Sequence, residues 1–218
     1  SGISFTVEGE DKKAEYCAKN GILDFVEDSV KKPLHKHIIY SSATDGKDSV
    51  EIAFQWGCKR ETPFVFVNGL RCPEGGTPVT GAKSAITKTF NNLAGEAFDG
   101  DKIRENLFYV MNCKVESPSF ANQTKTKINN PELRGLAQRA TTMALQDFKV
   151  RRANEYKSVI DALTREKKAA AAAERARKQV MEASKDVEKN QKKKVFATDK
   201  LKDAEFLGED SILLIAEG

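Results

Sequence analysis

The sequence has no run of about eighteen apolar residues, the length that a membrane-spanning helix requires. Its start, Ser1-Gly2-Ile3, carries neither the basic residues nor the apolar stretch of a signal peptide. The chain of 218 residues also lacks an initiator methionine. We therefore expect a protein without a membrane partner, and a piece or processed product of a longer polypeptide.

Metal-ligating residues are scarce as well. The sequence has four cysteines and two histidines, and no two cysteines have the C-x-x-C spacing. This argues against a structural zinc site and favours buried free thiols in a reducing compartment. His35 and His37 could lie on one face of a strand, but no third ligand is near them, so we expect surface histidines.

Positive charge is concentrated in one part of the chain. The net charge is +4, yet residues 149–194 contain 15 Lys and Arg against 7 Asp and Glu, which leaves the rest of the chain at −4. A basic segment of this kind either faces a polyanion or forms a solvated helix surface, and charge alone does not decide between them.

The first half of the chain mixes strand and helix patterns, and the twelve phenylalanines of the whole chain can supply a core. Residues 49–56 alternate with period two, which predicts a strand with one buried face, whereas residues 63–68 are apolar on both faces, as in mid-sheet strands. A helical spacing spans residues 10–30, with a break allowed at Asn20-Gly21. Further strands are predicted at residues 4–7, 37–42 and 107–115, and further helices at residues 77–93 and 101–105.

The second half is dominated by a helical pattern. Asn130-Pro131-Glu132 predicts a helix start, with Asn130 as the capping residue. No proline follows Pro131 and residues 169–173 are all alanine, so one very long helix is expected, although a break near residues 149–154 is compatible with the pattern. Residues 210–216 predict a final strand, buried on both faces.

Seven short segments match, in order, the motifs of a known family. The most specific is the loop Phe-Ala-Asn-Gln-Thr-Lys-Thr-Lys at residues 120–127. The others lie at residues 22–26, 50–56, 66–77, 85–91, 104–107 and 213–218. On these motifs the chain resembles the ATPase subunits of type IIA DNA topoisomerases: the gyrase B and topoisomerase IV B proteins and the large subunits of phage topoisomerases. Pro78, Asn106 and residues 10–20 depart from the family pattern, which leaves the bacterial or phage branch open.

The resemblance implies an α+β fold in three parts. Residues 1–130 would form a transducer similar to domain 2 of ribosomal protein S5, with a mixed sheet of about four strands and helices on one face. Residues 131–195 would be a long connecting helix with a basic distal half. Residues 196–218 would be a linker and the first strand of an incomplete Toprim domain.

The resemblance also implies the activity of the complete enzyme, which passes one DNA duplex through a break in another. A GHKL ATPase domain should precede this chain, and ATP and Mg²⁺ would be the cofactors of the whole enzyme. The implied partners are double-stranded DNA, the GHKL domain, the breakage-reunion subunit or region and a second copy, in the cytoplasm. We expect the 218 residues alone to bind no cofactor and to have no activity.

Lys125 is the residue that the resemblance assigns to the ATP γ-phosphate, with Gln123 as a second contact. A lysine can neutralise charge that develops during phosphoryl transfer, although loop composition alone favours an ordinary basic surface loop.

Gly75-Gly76-Thr77 could hold a phosphate at a helix start, but a turn-forming role is favoured. Glu217 would be a Mg²⁺ ligand in a complete Toprim domain. The candidate DNA contacts are Arg165, Lys167, Lys168, Arg175, Arg177 and Lys178.

Two other classes of function remain open at this point. The basic helix could belong to a stand-alone DNA-binding module without ATP coupling, which would bind DNA by itself. A coiled-coil adaptor is disfavoured because apolar residues do not keep a heptad repeat between residues 163 and 194.

Overall fold

The computed structural model describes residues 4–9 and 13–193. The chain divides into two units, Ser1–Arg165 and Glu166–Gly218. The predicted final strand and Glu217 lie outside the described residues. No helix in the described part is long and apolar enough to cross a bilayer.

The order of elements confirms the expected mixture of strands and helices. The described strands are β1 (Ser4–Glu8), β2 (Lys13–Cys17), β3 (Ile39–Asp45), β4 (Asp48–Trp56), β5 (Thr62–Val67), β6 (Leu70–Arg71), β7 (Gly75–Gly76), β8 (Leu107–Lys114) and β9 (Lys127–Ile128). The described helices are α1 (Ile22–Ser29), α2 (Thr77–Ala94), α3 (Gly100–Arg104), α4 (Pro131–Arg151) and α5 (Ala153–Lys193).

The main sheet of the first unit is mixed, with the strand order β3-β4-β8-β5-β6. β4 pairs antiparallel with both β3 and β8, while β5 runs parallel to β8 because α2 and α3 connect these two strands. The central strand is therefore β8, and β5 lies beside it. The turn of the hairpin between β3 and β4 contains Gly46 at φ +58°, a left-handed conformation that glycine adopts readily.

Hydrophobic side chains are buried on both faces of this sheet. On one face, Ile52 and Phe54 of β4 belong to the main core together with residues of α2 and α4. On the other face, Ala53 belongs to a second cluster together with Val26 of α1. The prediction of one buried face for β4 was thus incomplete, since α1 covers its second face over the carboxyl half. Burial of side chains such as Phe54 contributes about 1.5–3 kcal/mol each.

The helix predicted for residues 10–30 was wrong over its first half. Residues 13–17 form β2, which pairs antiparallel with β1 so that Thr6 lies opposite Glu15. Helix α1 begins only at Ile22, after Gly21 at φ +61°. The apolar residues of 10–20 are too few to bury a helical face, whereas the neighbouring strand β1 offers backbone hydrogen-bond partners along one edge of β2.

The single long helix expected after Pro131 is interrupted at Arg152. This residue leaves helical geometry, with φ −132° and ψ 48°, and α5 starts at Ala153. The break falls inside the range in which the sequence allowed one. Beyond it, Tyr156, Val159 and Leu163 are buried in the main core. The helical segment up to Arg165 is therefore a packed element of the first unit.

The environments of His35 and Cys17 differ from the predicted ones. His35 is buried, with its ring between Trp56 and Phe148 at centroid distances of 5.7 and 5.0 Å. Its Nε2 accepts from the Trp56 backbone N–H at 3.2 Å and its Nδ1 lies 2.8 Å from the His37 carbonyl, which specifies the neutral Nδ1–H tautomer. The prediction of surface histidines was wrong for His35. Cys72 and Cys113 are buried as expected, but Cys17 is exposed.

Burial of His35 predicts a stability loss in mild acid. Burial lowers the pKa of His35 below its ordinary value of 6.5, despite the hydrogen bond to the His37 carbonyl and the nearby Glu155. The unfolded chain therefore takes up this proton at a higher pH than the folded chain does, so folded stability falls as the pH drops below about 6.5. We expect urea unfolding at pH 7.5 and 5.5 to show this loss, and His35→Gln to reduce it. An equal loss in both proteins would contradict the assignment.

Candidate nucleotide-contacting loop and basic helix

The segment that resembles the Gln-Thr-Lys loop is closed at its base by backbone pairing. Phe120 forms an antiparallel bridge with Ile128, and the Ala121 N–H donates to the Lys127 carbonyl at 2.9 Å. The Lys125 N–H donates to the Asn122 carbonyl at 3.2 Å. The loop is thus a defined hairpin-like turn that holds Gln123 and Lys125 at its tip.

Side chains stabilise this turn from inside. Asn122 Oδ1 accepts from the Thr126 N–H at 3.0 Å, and Asn122 Nδ2 donates to the Thr126 hydroxyl at 2.7 Å. The Thr126 hydroxyl donates in turn to Glu74, whose own N–H donates to the Thr126 carbonyl at 3.0 Å. Thr126 is therefore tied to Glu74, the residue that precedes Gly75-Gly76, through both its hydroxyl and its backbone carbonyl.

Lys125 has an unusual backbone. Its φ of +56° lies in the left-handed region, which residues other than glycine seldom adopt. Its side chain is exposed, and its Nζ lies 5.7 Å from the centroid of the Phe120 ring. Gln123 is exposed on the same turn. A cation and an amide donor are thereby presented together, which fits contact with a phosphate group.

Gly75 and Gly76 are structural. As strand β7 they pair in parallel with β9, and both are buried. A Cβ built on Gly76 would lie 1.9 Å from the Ile128 carbonyl oxygen. The two glycines thus have a structural role in a short strand at the start of α2, because only glycine allows β9 to approach this closely.

Asn130 connects the loop to α4, but not in the predicted way. Its side chain does not cap the helix. Instead its Oδ1 accepts from the Ser119 N–H at 2.6 Å, and its Nδ2 donates to the Ser117 carbonyl at 3.1 Å. The Asn130 carbonyl accepts from the Thr77 hydroxyl at 2.6 Å. This buried asparagine therefore joins the segment before the loop, the start of α2 and the start of α4. Sequence reasoning missed this junction because the contact with Thr77 spans 53 residues.

A second polar contact lies just after the helix break. Glu155 of α5 accepts from the His37 N–H at 2.9 Å and contacts the His37 ring at 2.5 Å. This cluster attaches the first turn of α5 to the segment before β3. The sequence contained both histidines but no signal that paired them with a residue 118 positions away.

The six predicted DNA contacts are all exposed residues of α5. Arg165 closes the first unit and donates from Nε to the Asp161 carbonyl at 3.2 Å, whereas the other five belong to the second unit. Lys178 pairs with Glu174 at 2.9 Å, an exposed contact that contributes little. Lys168 and Arg175 are seven residues apart, so they lie on the same face of the helix.

No group of three potential metal ligands occurs within residues 4–9 and 13–193. The Mg²⁺ site implied by the resemblance would use Glu217, which the structure does not describe. The described residues that fit a cofactor are Lys125 and Gln123, since both can donate to phosphate oxygens.

Comparisons with known proteins show which family this sequence matches and which solved structures share its fold. The family model described as DNA gyrase B matches residues 21–179. The gyrase B protein of Synechocystis is 34% identical over 186 residues, covering 79% of this chain and 17% of that protein. The chloroplastic/mitochondrial gyrase B protein of Oryza sativa is 30% identical, covering 82% and 26%. The crystallised 43K ATPase domain of Thermus thermophilus gyrase B, in complex with an aminocoumarin, aligns with TM-score 0.70 at 23% identity, covering 78% and 49%.

The structural match confirms the fold that the sequence predicted, an α+β domain with a mixed sheet, of the kind found in the ATPase region of gyrase B. The chain belongs to the DNA gyrase B family. It spans about a sixth to a quarter of the length of these two relatives.

Proposed function

We propose that this chain is the transducer of an ATP-dependent type IIA DNA topoisomerase. It couples ATP binding and hydrolysis in a GHKL domain to DNA strand passage, with Lys125 on the γ-phosphate and Gln123 as a second donor. This proposal rests mainly on Lys125, an exposed cation at the tip of a turn whose base is held by hydrogen bonds. Family membership favours this function over a stand-alone DNA-binding module.

The path of coupling follows contacts within the first unit. The loop is joined through Asn130 to the start of α4, and α4 carries a continuous row of buried side chains from Leu133 to Phe148. After the break at Arg152, Glu155 attaches α5 to the segment before β3. A movement of the loop that follows γ-phosphate contact would thus reach α5 through packed and hydrogen-bonded elements.

The proposed setting is that of the complete enzyme. ATP and Mg²⁺ are its cofactors, and Glu217 is a Mg²⁺ ligand once the Toprim domain is whole. Its partners are double-stranded DNA, the breakage-reunion subunit or region and a second copy of the same polypeptide, in the cytoplasm. Residues 1–130 act as transducer, residues 131–195 as the connecting helical segment, interrupted at Arg152, and residues 196–218 as a linker and the first strand of an incomplete Toprim domain.

We further propose that the basic face of α5 lies along DNA and binds it without sequence preference. Replacing Lys168, Arg175 and Lys178 with Ala should lower the log–log salt slope of duplex binding by about two to three units, because each phosphate contact releases counterions with a slope of about −0.9. Titration of a labelled duplex at several salt concentrations measures this slope. Strand passage by the complete enzyme should fall more than basal ATP hydrolysis does.

A matched control removes the same charge elsewhere. Lys19, Lys31 and Lys59 are exposed residues of the first unit, away from α5 in the sequence. Their combined replacement with Ala should leave the slope within one unit of its original value. If the α5 variant keeps the original slope, or if both variants change it equally, α5 does not contact DNA.

A further inference from the structure

We infer that Phe120 is a positioning residue that holds Lys125 in a withdrawn position until a γ-phosphate is present. The inference rests on the proposed function of Lys125 as a phosphate contact. The Lys125 side chain would then have two states, one withdrawn onto the Phe120 ring and one released to a phosphate. Only the released state distinguishes ATP from ADP.

The Phe120 ring is a fixed platform. It is half-buried and packs against the main core, and its backbone is bridged to Ile128. The Lys125 Nζ lies 5.7 Å from the ring centroid, within the distance of about 6 Å at which a cation is attracted to an aromatic ring. Because the platform belongs to the core, the position of the amine on it is defined by the fold.

The backbone of the loop is held independently of this contact. Asn122 and Thr126 close the turn by side-chain hydrogen bonds, and Glu74 holds Thr126 from outside. Withdrawal and release of the amine can therefore occur by rotation about the side-chain bonds of Lys125, without opening the turn. Such rotations are fast compared with catalytic turnover.

The chemistry of the partner suits a reversible contact. A carboxylate facing Lys125 would neutralise the amine and compete directly with a phosphate. An aromatic ring that faces an exposed lysine favours the cation by about two- to five-fold in population and leaves its charge intact. A γ-phosphate, which offers charge-assisted hydrogen bonds, can therefore displace the ring. Phe120 keeps the lysine ordered without blocking its function.

This arrangement has a measurable consequence for nucleotide affinity. If a ligand binds only to molecules in which Lys125 is released, its apparent affinity is its intrinsic affinity multiplied by the fraction of such molecules. ADP has no γ-phosphate, so its affinity does not depend on this fraction. Removing the ring should therefore strengthen the apparent binding of ATP and leave that of ADP unchanged.

The kinetic test uses Phe120→Leu and Phe120→Tyr in the longer protein that joins this chain to its ATPase domain. Leucine keeps apolar packing against the core but removes the ring, and tyrosine keeps the ring. We expect Phe120→Leu to lower the KM for ATP about two- to five-fold, with kcat within two-fold and ADP inhibition unchanged. Phe120→Tyr should behave like the unmodified protein. In a Lys125→Ala background, Phe120→Leu should have no effect on KM.

A second measurement detects the contact itself in the 218-residue chain. Protons over the face of an aromatic ring are shifted upfield, so the Lys125 side-chain signals in a ¹H–¹³C spectrum report the withdrawn position. We expect this upfield shift in the unmodified chain and in Phe120→Tyr, and its loss in Phe120→Leu. Unchanged dispersion of the other signals would confirm that the fold is intact.

The outcomes separate this inference from the proposed function. Absence of an upfield shift in the unmodified chain overturns the withdrawn position, whatever Lys125 does to ATP. Suppose that the upfield shift is present and Lys125→Ala abolishes turnover, but Phe120→Leu leaves the KM for ATP unchanged. This result overturns the role of Phe120 and leaves the function of Lys125 standing. Full turnover by Lys125→Ala overturns the proposed function and with it the effect on ATP, although the upfield shift would still report the contact.

Discussion

Lys125→Ala in the complete protein is expected to lower ATP turnover about a hundred- to a thousand-fold, because loss of one preorganised contact to developing phosphate charge commonly costs about 2.7–4 kcal/mol in the transition state. The structure supports preorganisation of the backbone that carries Lys125: this residue belongs to a turn that Asn122, Thr126 and Glu74 hold in place. The measurement is steady-state ATP hydrolysis, with kcat and KM determined separately.

Two controls distinguish loss of charge from a disturbed loop. Lys127→Ala removes an exposed lysine two positions along the same hairpin and should leave turnover within a few-fold of its original value. Lys125→Asn also removes the charge, but asparagine tolerates the left-handed backbone of this position. Both Lys125 variants should lose turnover to a similar degree. Normal rates for either of them would exclude a γ-phosphate contact.

Gly76→Ala is expected to destabilise the first unit by about 2–6 kcal/mol, the combined range for backbone strain and for overpacking. Gly76 has φ +119° and ψ −145°, a region that other residues avoid. A Cβ there would also meet the Ile128 carbonyl oxygen at 1.9 Å. Because that contact lies between β7 and β9, the substitution should displace the base of the loop and reduce ATP turnover as well. Urea unfolding of the 218-residue chain measures the stability loss.

Gly69→Ala is the matched control for backbone strain. Gly69 has φ +82°, but an added Cβ would meet no atom within 4 Å. Its replacement should cost only the strain of a left-handed residue, about 1–2 kcal/mol. The difference between the two variants measures the close approach of β7 to β9 together with the stricter backbone requirement at Gly76. Equal losses would show that this approach contributes nothing to stability.

Local patterns predicted much of the sheet and its helices. The period-two alternation of residues 49–56 and the apolar residues of 107–115 identified β4 and β8, and Gly75-Gly76 marked the start of α2. These predictions succeeded because strand and helix periodicity is a property of neighbouring residues. The same reasoning failed for residues 13–17, since the stability of β2 comes from its pairing with β1 rather than from its own pattern.

The candidate site was predictable only in part. The Gln-Thr-Lys motif identified Lys125 and Gln123, and the structure shows both exposed on one turn. The contact of Lys125 with Phe120 had a weak local signal, because the two residues are only five positions apart and Asn122 and Thr126 of the same loop have the spacing of a turn. Glu74 had no such signal, since it reaches Thr126 across 52 residues.

The sequence by itself determined the family, the mixed α+β architecture and the identity of the loop, because motifs, hydrophobic periodicity and turn-forming residues are all local properties of the chain. Tertiary structure alone decided that α1 covers the second face of β4, that His35 is buried between Trp56 and Phe148, and that Asn130 binds the loop rather than capping α4. These features depend on which distant surfaces come into contact, and a buried polar group takes whichever partner the packed fold leaves within hydrogen-bonding distance.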